Sequence, residues 1–187
     1  MKKLFLVVVL IVVTVVSADY VVSHKDDGQS YLEQLKHTME CADWMSHHNA
    51  DYGYEMRYLS CFQPEGVGNG DVVRYVYVEE VSALQSIRYI TQEVHAEVRS
   101  DSLTPRAEMQ KRAKALGGIY LERPDGSFLM SGSLVSDDMY VTAYRYDAKY
   151  VLRQQLWFVH VVIYPEDFAP AMERLIEEVN AWEPFPQ

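Results

Sequence analysis

The 187-residue chain carries 17 lysines and arginines against 27 aspartates and glutamates, a formal net charge of −10 at pH 7. Such an acidic surface repels the phosphates of nucleic acids and of anionic lipids, which excludes nucleic acid as a partner. The length favours a single domain that buries about 70% of its unfolded surface, a core large enough to fold without a crosslink or a metal ion.

The N-terminus has the pattern of a secretory signal peptide. Lys2 and Lys3 precede an uncharged apolar run from Leu4 to Ala18, which predicts cleavage before Asp19. An uncleaved anchor is the alternative, but a membrane-spanning helix needs about 20 apolar residues. We therefore expect a signal peptide at 1–18, a flexible mature N-terminus at 19–29 and one domain at 30–187. The mature protein is expected to be secreted or periplasmic, with no stable membrane insertion.

The two cysteines lie 20 positions apart, and three interpretations are open. In an oxidising compartment, a disulfide between Cys41 and Cys61 is the default prediction. A metal site is the weaker alternative, with Cys41, His47, Asp51 and Cys61 as ligands, because zinc sites usually carry closer ligand pairs. A reactive thiol is the third interpretation, and it requires a partner base that the sequence does not place.

Hydrophobic periodicity predicts the elements of the first two thirds of the chain. A capping box at Ser30 and Glu33 opens a helix that is expected to run from Tyr31 to Met45. The next predicted elements are strands at 51–59 and 71–81, a helix at 83–99 that also fits a strand, and a helix from Pro105 to Gly117-Gly118.

The last third of the chain predicts a four-stranded meander followed by a helix. Turns are expected at "PDG", "SDD" and "DAK", and "YVLRQQLWFVHVVIY" is expected to be one long central strand. The final helix is expected from Asp167 to Trp182. Several strands are apolar on both sides, which favours cover on both faces of the sheet. The predicted fold class is α+β, a single antiparallel sheet of about six strands with helices packed on its faces.

The early segment "YGYEMRYLSCF", together with a meander that leads to an amphipathic C-terminal helix, resembles the PsbP-like family over Asp51 to Trp182. The resemblance implies an α/β/α sandwich, as in an extrinsic subunit of photosystem II and many exported bacterial proteins. It also implies a non-catalytic role in assembly or binding. The proline that usually follows the family's opening strand is displaced here to Pro64, and a disulfide is not a general feature of the family.

Two histidines are the candidate catalytic residues. His160 lies in "WFVHVVI" on the same predicted strand face as Phe158, and His95 lies between Glu93 and Glu97. A general base needs a carboxylate that orients its second ring nitrogen, and the sequence places none. A buried structural histidine and a solvated polar face are the simpler interpretations.

Tyrosine is abundant, with 14 residues in the chain, many of them on predicted strands. One hypothesis is an aromatic binding surface that includes Tyr140, Tyr144 and Tyr146. The alternative is that tyrosine simply suits half-buried strands, with its hydroxyl reaching water.

These observations favour an exported, non-catalytic domain that binds an envelope protein partner or a small ligand and requires no cofactor. An envelope hydrolase that uses His160 or His95, with an acid supplied by the fold, is the alternative function.

Overall fold

The computed structural model describes residues 31–65, 72–81, 86–135 and 143–185. Its helices are α1 at 31–41, α2 at Pro105–Ala115 and α3 at Glu173–Ala181, with a 3-10 helix at Glu166–Ala171 before α3. Its strands are β1 (Trp44–Asn49), β2 (Tyr54–Leu59), β3 (Gln63–Pro64), β4 (Val72–Val81), β5 (Ser86–Val98), β6 (Ile119–Glu122), β7 (Phe128–Val135), β8 (Ala143–Arg153) and β9 (Leu156–Pro165).

The described strands form a seven-stranded sheet in the order β3-β4-β5-β9-β8-β7-β6, and β1 and β2 form a separate hairpin. Every strand pair is antiparallel. The mixed antiparallel class is confirmed, whereas the single six-stranded sheet is wrong. The additional strands are the two-residue β3, β1 and the segment that forms β5.

Both faces of the seven-stranded sheet are covered by other elements. The side chains of each strand alternate between the two faces, so each strand contributes to two cores. On β9, Phe158 and Val162 belong to a core with α1, the β1–β2 hairpin, the 3-10 helix and α3. Trp157 and Val159 belong to a second core, under α2. We call these the α3 face and the α2 face of the sheet.

Arg174 of α3 connects that helix to α1 and β1 on the α3 face. Its guanidinium donates to the carbonyls of Met39, Glu40 and Ala42 at 2.7–2.9 Å, at the C-terminus of α1. The same guanidinium lies 4.8 Å from the ring centre of Trp44 on β1. These contacts satisfy carbonyls that a helix end leaves without intrahelical partners, and they join the first described helix to the last.

Helix α2 begins and ends as its sequence predicts. The Thr104 hydroxyl accepts from the Ala107 N–H, and Pro105 occupies the first turn. At the other end, Gly117 has φ +64°, and the Gly118 N–H donates to the Ala113 carbonyl at 2.8 Å. This Schellman ending turns the chain directly into β6.

The predicted helix at 83–99 is wrong, because its described part is strand β5. Ile90 and Val94 are four residues apart, a spacing that leaves them on the same side in a helix and in a strand. In the strand they flank Gln92, whose side-chain amide donates to the Arg57 carbonyl at 2.7 Å. A buried glutamine interrupts the apolar alternation by which a strand is recognised.

Other boundaries also differ from the prediction, among them the final helix, which is a 3-10 helix at Glu166–Ala171 followed by α3 at Glu173–Ala181. Helix α1 ends at residue 41 rather than at Met45, and β1 follows it. The expected "DAK" turn lies inside β8, and the expected long strand is divided by a turn at Gln154, where φ is 57°.

Candidate functional site

The predicted disulfide is absent from the structure, since Cys41 and Cys61 are both free. The hairpin brings their backbones to the same end, where the Ser60 N–H donates to the Asp43 carbonyl. The side chains differ in environment, however. The Cys41 Sγ is exposed and lies 3.5 Å from His37 Nδ1, whereas Cys61 packs against the core of the α3 face, and burial raises its pKa.

The alternative metal site does not assemble. Asp51 lies in the turn at the tip of the β1–β2 hairpin, and the cysteines lie at its base. His47 is in between, with its Nδ1 3.2 Å from the Tyr75 hydroxyl. Among the described residues, no group of three or more histidine, cysteine, aspartate or glutamate side chains is placed to hold a metal ion.

His160 is fully buried on β9, with 0% of its surface exposed. Its Nε2 lies 3.0 Å from Gln92 Nε2, and its ring packs edge-on against Trp182. Burial, together with the nearby ammonium of Lys149, lowers the pKa of His160 to about 3. An enclosed imidazole cannot reach a substrate, so the hypothesis that His160 is a general base is wrong.

His95 does have a carboxylate partner, since its Nδ1 lies 2.9 Å from Glu93 Oε1. The other oxygen of Glu93 is bound by Arg74 at 2.7 Å. Burial tends to raise the pKa of Glu93, but the hydrogen bonds from His95 and Arg74 outweigh it and lower the pKa. The Arg74–Glu93 ion pair joins β4 to β5, and His95 lies beside Glu93 on the same strand. None of the clefts described below is lined by His95.

The tyrosines proposed as a binding surface do not form one in the described residues. Tyr140 lies outside the described residues. Tyr144 is half-buried at the start of β8, and Tyr146 is only 4% exposed in the core of the α2 face. Most described tyrosines are likewise buried or half-buried, as the simpler interpretation predicts.

A different surface is open at the β6 edge of the sheet. Within the described residues, β6 pairs only with β7 and is the end strand. Two of its apolar side chains are exposed to solvent, since Ile119 is 76% exposed and Leu121 is 61% exposed. An unpaired apolar edge strand is a template for a further strand, which proteins usually protect.

The hairpin geometry shows which backbone groups of β6 face outward. The Arg123 N–H donates to the Ser127 carbonyl, and the Arg123 carbonyl accepts from the Gly126 N–H. Hydrogen bonding alternates along an antiparallel strand, so the backbone N–H and C=O groups of Leu121 also face β7. The backbone N–H and C=O groups of Tyr120 and Glu122 therefore face away from β7.

A cleft of about 250 Å³ adjoins this edge on the α3 face. Ile119, Leu121 and Leu129 supply its apolar part, and Asp147 and Asn180 supply polar groups. The Asp147 carboxylate is held in place by the Tyr164 hydroxyl, which donates to it at 2.8 Å. The adjacent helix is acidic, because residues 173–183 contain four glutamates and one arginine.

The α2 side of the same edge is basic. Residues 105–123 carry five arginines and lysines against two glutamates, in a chain that is acidic overall. Arg106 of α2 reaches Glu122 of β6 at 3.6 Å, with 74% of the Arg106 side chain exposed. Lys114 lies two turns further along the same side of α2. We call Arg106 and Lys114 the basic rim of the edge.

Gly118 and Gly132 allow β6 and β7 to lie against Tyr146. A Cβ at Gly118 would overlap the Tyr146 hydroxyl and lie 2.7 Å from the Ser131 carbonyl oxygen. A Cβ at Gly132 would lie 2.8 Å from the Gly118 Cα. Glycine is therefore required where the edge hairpin packs closely on β8.

Sequence reasoning did not identify these residues as a site. The segment "GIYLER" was correctly predicted as a strand, but its edge position depends on pairing with a distant part of the chain. The excess of positive charge in residues 105–123 was the available signal, since it departs from the acidic character of the chain.

Among the described residues, no helix has the length and apolar composition that a membrane crossing requires. Neither a scan against protein-family models nor a search of curated proteins finds a match. The structure is similar to the solution structure of cyanobacterial PsbP (CyanoP) from Synechocystis sp. PCC 6803, with a TM-score of 0.44 and 13% sequence identity. The similarity covers 75% of this chain and 91% of that chain. It concerns the same family as the sequence resemblance, at the level of architecture alone.

Proposed function

We propose that this protein is a non-catalytic binding domain that accepts an extended segment of a partner protein as an additional strand on β6. The observation that carries the proposal is the open edge itself. Ile119 and Leu121 are exposed beside backbone groups that face away from β7. Main-chain hydrogen bonds would supply the affinity, and alternate side chains would meet the two faces of the sheet.

A partner segment fits this edge better than a second copy of the chain. Two β6 strands paired around a two-fold axis would bring the basic rim of one copy beside that of the other. Like charges placed together oppose association. A segment of another protein carries no such restriction.

We further propose that the domain works outside the cytoplasm, as the N-terminal sequence predicts, after removal of residues 1–18. The measurement is the intact mass of the protein purified from its native source. A chain that begins at Asp19 is expected, and an intact chain beginning at Met1 would contradict export with cleavage.

The test uses a neutral, fluorescently labelled heptapeptide, Thr-Val-Gln-Val-Gln-Val-Thr, with binding followed by fluorescence anisotropy. Glu122→Pro removes an outward-facing N–H without removing a bond to β7, and it should weaken binding at least tenfold, about 1.4 kcal/mol. Glu122→Gln is the matched control and should bind as the wild type does. Circular dichroism establishes that both variants are folded.

A second comparison separates strand addition from simple hydrophobic contact. N-methylation of the valines blocks one edge of the extended peptide, and N-methylation of the glutamines blocks the other. Strand addition predicts that only one of the two modified peptides loses binding. Equal binding of both, or no binding of the unmodified peptide, would refute the proposal. So would a dimer in sedimentation experiments that Glu122→Pro dissociates.

The side chains supply a further control. Leu121→Asp should weaken binding of the neutral peptide, because it places a charge in the apolar part of the edge. Val98→Asp should not, although Val98 is 76% exposed, because it lies at the end of β5.

A further inference from the structure

The cleft on the α3 side continues the exposed apolar surface of β6. Leu121 lies directly opposite Leu129 of β7, and both residues line the cleft together with Ile119. Asn180 lines the same cleft from α3. The edge strand and the cleft therefore share one apolar surface, which begins at the open edge and continues toward α3.

The α2 side of the edge offers different contacts. Tyr120 is half-buried, and its ring centre lies 6.2 Å from that of Phe128. Glu122 is paired with Arg106 at 3.6 Å. Side chains alternate along a strand, so an added strand would meet apolar side chains on the α3 side and an aromatic ring and an ion pair on the α2 side.

The charges around the cleft do not favour a charged occupant. Arg145, Asp147 and Lys149 alternate along β8, so all three face the α3 side. Glu178 of the adjacent helix is already paired with Arg57 at 3.2 Å. A carboxylate that lies between two cationic side chains attracts neither an anion nor a cation strongly. A neutral group fits this surroundings best, and the apolar wall of the cleft favours an apolar one.

We propose that the partner segment is an amphipathic strand that directs neutral apolar side chains to the α3 side, where one as large as leucine or phenylalanine occupies the cleft. This inference rests on the proposed function and adds the chemistry of the partner. Residues directly opposite Ile119 and Leu121 face the α3 side in a parallel as in an antiparallel pair, so the inference holds for both directions of the added strand. Polar residues of the partner then face Tyr120 and Glu122.

The experiment varies the central valine of the heptapeptide Thr-Val-Gln-Val-Gln-Val-Thr, which is replaced by alanine, leucine or phenylalanine. The phenylalanine peptide should bind about tenfold more tightly than the alanine peptide, with valine and leucine in between, because more apolar area is buried in the cleft. The same three substitutions at the third position, where glutamine faces the α2 side, should have a much smaller effect. An equal gain at the third position would overturn the assigned side. Fluorescence anisotropy measures both series.

Filling the cleft from the protein provides the decisive comparison. Asn180→Phe adds a ring to the cleft without changing β6, so the gain from the alanine to the phenylalanine peptide should disappear while the alanine peptide still binds. Asn180→Ala is the matched control and should retain the gain, and circular dichroism establishes that both variants are folded. Equal binding of all four peptides to the wild type, or an undiminished gain in Asn180→Phe, would overturn the assigned occupant of the cleft and leave strand addition intact. Failure of the valine peptide to bind would instead overturn the proposed function.

Discussion

The two edges of the seven-stranded sheet differ in how well their outward-facing backbone N–H and C=O groups are protected from pairing with another strand. At one edge, β3 has two residues, and one of them is Pro64. The Glu65 N–H donates to the Arg74 carbonyl, so the nitrogen of Pro64 lies on the outer side, where proline offers no donor. At the other edge, β6 has four residues, exposed apolar side chains and no proline. Protection of one edge makes the open state of the other a specific feature of the chain.

The edges also differ in what lies beside them. Past the short β3, the outer strand β4 continues with the acidic residue Glu79, and charge discourages pairing with another strand. Beside β6, Arg106 and Glu122 lie on the α2 side and Asp147 lies in the cleft on the α3 side, so charges of both signs border the open edge.

The largest expected effect comes from rebuilding the packing under the open edge. Gly118→Ala should lower the free energy of unfolding by roughly 3 kcal/mol, because the new methyl group overlaps the Tyr146 hydroxyl and crowds the Ser131 carbonyl. Urea denaturation measures the change. Gly53→Ala is a contrasting control, since a Cβ there meets nothing within 4 Å, although its φ of +69° adds some strain of its own.

A double-mutant cycle gives this prediction its sharper form. Tyr146→Phe removes the hydroxyl that meets the added methyl group, so Gly118→Ala should be less destabilising in that background. An equal loss in both backgrounds would contradict the assigned contact between the two residues.

An intermediate effect is expected at His160 on β9, the middle strand of the sheet. The folded-state pKa of His160 is lowered to about 3, whereas an unfolded histidine titrates near 6.5. Between these values the unfolded state binds more protons, so the free energy of unfolding should fall as pH falls from about 6.5. The slope is at most about 1.4 kcal/mol per pH unit.

Denaturation from pH 7 to pH 5 measures this slope. His160→Gln should flatten it, and His48→Gln, at an exposed position of β1, is the matched control. An unchanged slope in His160→Gln would show that other groups dominate the acid response. Peptide binding at β6 per molecule of folded protein should not follow this transition.

The smallest effect is expected at the protected edge. Pro64→Ala restores an outward-facing N–H, but β3 remains two residues long, so its stability should change by no more than about 0.5 kcal/mol. When Pro64→Ala is combined with Glu122→Pro, the neutral peptide should not regain binding. Recovered binding would show that proline alone distinguishes the two edges, and anisotropy titration decides the matter.

Much of the fold follows from local patterns in the sequence. Thr104-Pro105 and Gly117-Gly118 mark the ends of α2, and the alternation of "SFLMSGSLV" and the turn at "PDG" identify β7 and its hairpin. Strand β5 could not be predicted in the same way, because the burial of Gln92 depends on contacts with Arg57 and His160 from distant strands.

The candidate site was still less accessible to sequence reasoning. Ile119 and Leu121 have the pattern of any half-buried strand, and only the strand order leaves them exposed. Tyr146 was predicted to lie on a binding surface but is buried. The two glycines that make room for its ring lie 28 and 14 positions away in the chain. Edge positions and close approaches are properties of topology rather than of local composition.

The contacts of Arg174 have a consequence for the order in which the molecule assembles. The end of α1 depends on a side chain 132–135 positions later, and β2 also pairs its Glu55 N–H with the Pro184 carbonyl. A polypeptide that emerges gradually from a ribosome or a translocation channel therefore cannot complete this face until residues 174–184 have emerged.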